Sequence, residues 1–135
     1  MLILIDKHSG VPIYRQILEQ AKHQILTGQL KDGEALMSVR DLANELKINP
    51  MTISKSYALL EIEGFVERRR GIGLFVTKPK QDITQRAKLG LIEEKLSHIV
   101  VQALQMGLRE EDIAKIVSRQ FREIKSDIEE KPDGQ

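Results

Sequence analysis

The chain has 135 residues, of which 41% are hydrophobic and 30% charged; its formal net charge is +1 and it contains no cysteine. This length fits one domain, or one small domain with an added helical segment. Without cysteine, disulfides, thiolate metal ligands and a cysteine nucleophile are excluded. No apolar run approaches the roughly 18–20 residues of a membrane span. Met1–Ile5 is too short for a signal peptide, so we expect a cytoplasmic protein without membrane association.

The charges are divided unevenly along the chain. Residues 1–80 carry 12 Lys/Arg against 9 Asp/Glu, whereas residues 81–135 carry 9 against 11. A basic first part and an acidic second part suit a polyanion-binding module joined to another segment. A solvated surface can show the same imbalance by chance.

Helix signals mark three helices in the first half of the chain. Apolar residues recur at helical spacing after Pro12 and end at Gly28. Ser38 is a typical N-cap for a short second helix. Asn49 and Pro50 are typical of the cap and first residue of a third helix, which Gly64 ends.

Two short β-prone runs follow, Phe65–Arg70 and Leu74–Thr77, with Gly71–Gly73 as a three-residue connection. Helix, helix, tight turn, helix and hairpin is the order of a winged helix-turn-helix. We therefore predict a mainly α fold with a small β wing.

After Lys78-Pro79-Lys80 the pattern changes to two longer helices. The first, from about Asp82 to Met106, has apolar residues alternately three and four apart, as in a coiled-coil seam. A second begins near Glu110. We predict a DNA-binding domain at 1–78, a two-helix dimerisation region at 79–128 and a disordered tail at 129–135. The predicted dimer contacts are Leu89, Ile92, Leu96, Ile99, Ala103 and Phe121.

The third helix has a face suited to reading DNA. At 100° per residue, Ile53, Tyr57 and Leu60 share one side and should face the core. The opposite side is small, polar and cationic apart from one methionine, and comprises Met51, Lys55 and Ala58 flanked by Thr52 and Ser54. Such side chains at a helix N-terminus can reach base edges in the major groove. An ordinary solvated helix face explains the pattern equally well.

The hairpin is the second candidate contact. Arg68, Arg69 and Arg70 lead into Gly71, which places cationic side chains beside an exposed turn, as phosphate and minor-groove contacts require. Arg69 should point away from the other two, and a charged strand edge that discourages aggregation is the alternative. Arg40, just after the Ser38 cap, could hold a phosphate or simply be a surface charge.

Enzyme signatures are missing from the sequence. The three histidines are scattered, and Gly71–Gly73 does not complete a GxGxxG nucleotide loop. We expect no catalytic residues, no metal site and no cofactor.

Residues 11–77 resemble the winged-helix domain of GntR-type transcription regulators, and the short two-helix C-terminal part resembles the YtrA-like branch. The matching segments are Pro12–Gln16, Gly28–Leu30, Gly33–Leu36, Ser38–Ala43, Thr52–Ile53, Leu60–Val66 and Arg70–Val76. The resemblance implies a homodimeric regulator, most simply a repressor, that binds a palindromic stretch of double-stranded operator DNA. Met51 departs from the branch, where asparagine is frequent.

By resemblance and position, ten residues are predicted to contact DNA: Ser38, Arg40, Asn49, Met51, Thr52, Ser54, Lys55, Arg68, Arg70 and Gly71. A small-molecule effector is compatible with this interpretation, although the sequence identifies no residues for it. Two other functions remain open: a winged-helix protein-interaction module without DNA binding, and a structural or assembly role.

Overall fold

The computed structural model describes residues 1–77, 79 and 81–130. Within them the elements are α1 (Ile13–Leu26), α2 (Val39–Leu46), α3 (Pro50–Ile62), β1 (Val66–Arg69), β2 (Gly73–Val76), α4 (Gln81–Gln105) and α5 (Glu110–Glu130). The chain divides into two compact units, Met1–Leu91 and Ile92–Gln135. The predicted mainly helical fold with a two-stranded wing is confirmed.

The predicted helix caps are present. The Ser38 hydroxyl accepts a hydrogen bond from the Asp41 N–H at 3.0 Å, and Asn49 Oδ1 accepts one from the Met51 N–H at 2.9 Å. Gly64 follows α3 with φ +84°, a left-handed conformation that glycine adopts without steric cost. These local contacts set where α2 and α3 begin and where α3 ends.

The core of the first unit lies between α1, α2 and α3. Ile17 of α1, Leu42 of α2 and both Ile53 and Leu60 of α3 are fully buried. Removing each such side chain from water contributes about 1.5–3 kcal/mol to folding. The buried side of α3 is therefore the side that its apolar periodicity predicts.

Two polar contacts also tie α3 to α1. The buried Ser56 hydroxyl donates to the Tyr14 carbonyl at 2.7 Å. Near the end of α3, Lys22 Nζ lies 2.7 Å from Glu63 Oε1, with the lysine side chain only 15% exposed. Because both contacts join residues far apart in sequence, they restrict rotation of α3 about its own axis.

The wing consists of β1, β2 and the turn Arg70–Ile72. Its strands pair antiparallel from Val66 with Val76 to Arg69 with Gly73. The predicted connection Gly71–Gly73 is therefore wrong by one residue, because Gly73 pairs in the ladder and Arg70 belongs to the turn.

The loop between α1 and α2 supports the outer edge of the wing. The Val76 N–H donates to the Glu34 carbonyl at 2.8 Å, and the Leu36 N–H donates to the Leu74 carbonyl at 2.9 Å. These bonds pair an otherwise open edge of β2.

Residues 1–6 form an N-terminal arm along α1 that the sequence patterns did not predict. Gln20 Oε1 accepts from the Leu4 N–H at 2.9 Å, and Gln16 Oε1 accepts from the Asp6 N–H at 2.8 Å. Gln24 Nε2 donates to the Leu2 carbonyl. Four helical residues rise about 6.0 Å and two extended residues about 6.6 Å, so glutamines four apart meet every second residue of the arm.

Tyr57 links α3 to the start of α2. Its hydroxyl donates to the Met37 carbonyl at 2.8 Å, one residue before the Ser38 cap. The side chain is 3% exposed, and burial raises the pKa of the Tyr57 phenol above its ordinary value. The bond positions the N-terminus of α2 relative to α3.

The second unit contains most of α4 and all of α5. The Leu108 N–H donates to the Ala103 carbonyl at 2.9 Å beside Gly107, which has φ +75°. Ala103 is 5% exposed, whereas many large apolar side chains of this unit are exposed: Ile92, Leu96, Ile99, Leu104, Phe121, Ile124 and Ile128. No described helix has the length and apolar character that crossing a bilayer requires.

The predicted tail, residues 129–135, overlaps the end of α5, because Glu129 and Glu130 are the last residues of that helix. Residues 131–135 lie outside the described residues.

We predict that Gln16→Ala and Gln20→Ala release different parts of the arm. Gln20 bonds both the N–H and the carbonyl of Leu4, and Gln16 bonds both of these groups of Asp6 and also Ser9 and Val11. Because each bond contributes about 0.5–1.5 kcal/mol, amide exchange should speed up by at least about two- to tenfold. Exchange should rise chiefly at Asp6 in Gln16→Ala and chiefly at Leu4 in Gln20→Ala, measured by NMR. Equal acceleration of both amides in both variants would contradict the pairing.

We predict that the stability difference between wild type and Tyr57→Phe depends on pH. At pH 7 the variant should lose about 0.5–1.5 kcal/mol of unfolding free energy, because the Met37 carbonyl loses its donor. The folded-state phenol pKa is raised, so the contribution of Tyr57 is complete below about pH 10 and is lost as pH rises above it. Urea unfolding of both proteins should show a smaller difference in unfolding free energy at pH 11 than at pH 7. A constant gap would contradict this assignment.

Candidate nucleic-acid interface

The outer face of α3 comprises Met51, Ser54, Lys55 and Ala58, all of them exposed. Met51 is 77% exposed. The separations of three, four and seven residues place the four side chains on one side of the helix. This face is open to a ligand and lies opposite the buried side, as the periodicity predicts.

Three other predicted contact residues near the helix starts are in part structural. Asn49 and Ser38 use a side-chain oxygen to cap a helix, which leaves the asparagine NH2 and the serine hydroxyl hydrogen as donors. Thr52 is half-buried beside the outer face. Ser38 and Asn49 therefore hold the helix starts in place, and each has one side-chain acceptor already engaged.

Lys55 has a partner that sequence patterns did not identify. Its Nζ lies 3.8 Å from the centroid of the Tyr14 ring at the start of α1. A cation–π contact of this kind contributes about 0.5–1 kcal/mol at an exposed site. It holds the ammonium at one edge of the outer face, and only the packing of α1 against α3 brings the two residues together.

The three arginines of the wing have different surroundings. Arg68 Nη2 lies 3.3 Å from Glu61 Oε1. Arg69 Nη2 lies 3.4 Å from Glu67 Oε1, and the Arg69 guanidinium carbon lies 4.1 Å from the centroid of the Phe75 ring. Exposed ion pairs contribute about 0–1 kcal/mol, so a phosphate could replace the Arg68 pair at little cost.

Arg70 is exposed and sits in the turn at the tip of the wing. Within the described residues it makes no ion pair or hydrogen bond. Gly71 beside it has φ +77°, which allows the sharp reversal, and a Cβ there would meet nothing within 4 Å. The tip is therefore cationic and open to a backbone or groove of nucleic acid.

Arg40 is exposed at the second position of α2. The first N–H groups of a helix have no intrahelical acceptor, and the Ser38 side chain satisfies only that of Asp41. Val39 and Arg40 therefore present amides beside a guanidinium, an arrangement that suits a phosphate oxygen.

A metal centre finds no support in the residues that the structure covers. Among them, no three His, Asp or Glu side chains lie close enough together to hold a metal ion.

Comparison with known proteins gives consistent matches. Residues 13–76 match the family model of bacterial regulatory proteins of the gntR family. The HTH-type transcriptional repressor YtrA of Bacillus subtilis is 46% identical over 77 residues, which are 57% of this chain and 59% of that relative. A GntR family transcriptional regulator from Listeria monocytogenes has a similar structure, with a TM-score of 0.67 and 30% identity over 85% of this chain and 98% of that one.

A second solved structure gives a similar match. YtrA from Sulfolobus acidocaldarius, a GntR-family transcription factor, is 30% identical with a TM-score of 0.53, covering 91% of this chain and 99% of that one. The match to the Bacillus repressor spans less than two thirds of its length, whereas these two structures are covered almost entirely. The chain therefore belongs to the GntR family of bacterial regulatory proteins.

Proposed function

We propose that this protein is a sequence-specific DNA-binding transcription repressor that acts as a homodimer in the cytoplasm and carries out no catalysis. The observation that carries the proposal is the exposed outer face of α3, which lies on the same unit as the open cationic tip of the wing. Family membership and the repressor relative support the same function.

In this mechanism α3 enters the major groove with its N-terminal turn, where Met51 and Ser54 reach base edges and Lys55 contributes positive charge. Arg70 at the wing tip contacts the minor groove or the adjacent backbone. Arg40 and the free amides of α2 hold a phosphate, which fixes the register of the protein on the duplex. Repression follows because an occupied operator is closed to the transcription machinery.

The exposed apolar residues of α4 and α5 support a homodimer. Large apolar side chains exposed in such number on one unit indicate an interaction surface. On α4 the spacing of Leu89, Ile92, Leu96 and Ile99 is that of a seam between paired helices. Ala103, a predicted contact, is already buried within one chain, so the interface is proposed to use the exposed residues, including Phe121 on α5.

A dimer presents two copies of α3. Two-fold symmetric regulators of this type recognise half-sites about 34–36 Å apart or a multiple of that distance. The operator is therefore proposed to be palindromic.

We predict that Arg40→Ala and Arg70→Ala each weaken operator binding and make it less sensitive to salt. Losing one phosphate contact should reduce the slope of log affinity against log salt by about 1 per contact. A gel-shift series from about 50 to about 200 mM salt measures this slope, because DNA affinity falls steeply over that range.

Arg69→Ala is the matched control for this prediction, because Arg69 belongs to the same arginine run but stacks on Phe75. Its salt slope should remain that of the wild type. Wild-type slopes for both Arg40→Ala and Arg70→Ala would show that these two residues do not hold phosphates.

We predict that Leu96→Glu and Ile99→Glu each produce monomers, because burying a carboxylate in an apolar seam carries a large desolvation cost. Operator affinity should fall by more than about tenfold, since a monomer engages one half-site only. Light scattering after size-exclusion chromatography measures the mass. His98→Glu, exposed on the same helix but outside the seam, should remain a dimer. Intact dimers of both seam variants would place the interface elsewhere.

A further inference from the structure

We propose that Met51 reads the C5-methyl group of a thymine in the major groove and thereby specifies one base pair in each half of the operator. The inference rests on the proposed function, because it identifies what one residue of the outer face of α3 recognises.

Met51 is held at the part of α3 that would meet base edges. It is the second residue of the helix, after Pro50, and its N–H donates to Asn49 Oδ1 at 2.9 Å. The backbone that carries the side chain is therefore restrained by the Asn49 cap and by the ring of Pro50. In helix-turn-helix proteins the N-terminal residues of the recognition helix contact the bases.

The Met51 side chain contributes nothing to the core of its own chain. Met1 and Met37 pack against the core, whereas Met51 is 77% exposed and does not belong to that cluster. A single exposed apolar residue is ordinary on a protein surface. What distinguishes Met51 is its place on one helix face with exposed Ser54 and Lys55, three and four residues further on.

The chemistry of the thioether restricts what it can recognise. Methionine sulfur is a weak acceptor and the side chain has no donor. In the major groove, guanine, adenine and cytosine present donors or acceptors, and thymine alone among the bases adds an apolar methyl group. Against the amino groups of cytosine N4 or adenine N6, methionine would displace water and offer only its weak sulfur acceptor in place of the lost hydrogen bond.

Thymine is therefore the base that Met51 tolerates best and contacts most favourably. The unbranched side chain with three rotatable bonds can adapt its shape to the methyl group.

Uracil and 5-methylcytosine provide a direct test. Binding duplexes would first be selected by the full-length protein from a random library, and each thymine of the consensus then replaced by deoxyuridine, which lacks only the methyl group. For wild type, replacement at one symmetric pair of positions should weaken binding about tenfold, because a buried methyl group is lost in each half-site. 5-Methylcytosine there should be bound more tightly than cytosine.

Two variants assign the effect to Met51. Met51→Ala should bind the thymine duplex about tenfold more weakly and lose its response to deoxyuridine. Met51→Gln, of similar length, should gain preference for adenine, with which an amide forms paired hydrogen bonds. Ile62→Ala is the matched control, since Ile62 is 78% exposed on α3 but at its far end; it should keep the wild-type response.

The outcomes separate this inference from the proposed function. If wild type selects a consensus but tolerates deoxyuridine at every position, or if Met51→Ala retains the response, the role of Met51 is overturned while DNA binding stands. If no consensus is selected and no duplex is bound, the proposed function itself is overturned. Melting curves should show that Met51→Ala folds like wild type, because the substituted side chain is exposed.

Discussion

The orientation of α3 about its own axis is the constraint on which the candidate interface depends. Burial of Ile53 and Leu60, with the Ser56 hydroxyl bonded to the Tyr14 carbonyl, fixes the inner side of the helix. Rotating α3 would expose apolar surface and break the hydrogen bond from Ser56 to the Tyr14 carbonyl, leaving the hydroxyl only its contact with Thr52 in the same helix. The outer face is consequently presented in one orientation, as base recognition requires.

Polar side chains in the first unit act mainly as positioning groups. Ser38 and Asn49 close the starts of α2 and α3, Tyr57 joins α3 to the residue before α2, and the glutamines of α1 hold the N-terminal arm. Each of these hydrogen bonds replaces one to water, so it adds little to the free energy of folding. Its main effect is to fix the position of one element relative to another. Helix-turn-helix geometry arises from many such small contributions around one apolar core.

The charges of the wing are divided in a way that composition alone does not reveal. Arg69 is occupied by an aromatic ring and a neighbouring carboxylate, Arg68 by Glu61, and Arg70 remains open at the tip. A run of three arginines thus offers one unengaged cation and one weakly paired cation. In the second unit many large apolar side chains are left exposed, as the proposed homodimer requires.

The sequence by itself determined the order of the elements, the two side-chain caps and the sidedness of α3, because each follows from local rules of spacing, capping and backbone conformation. It also indicated the family, through short segments at characteristic separations. Tertiary structure decided the place of the N-terminal arm, the Tyr14–Lys55 contact, the burial of Ala103 and the distinct surroundings of the three arginines. These features join residues through space, so no local pattern in the sequence encodes them. The one-residue shift of the wing turn has the same origin, since the ladder between β1 and β2 determines which glycine pairs and which one turns.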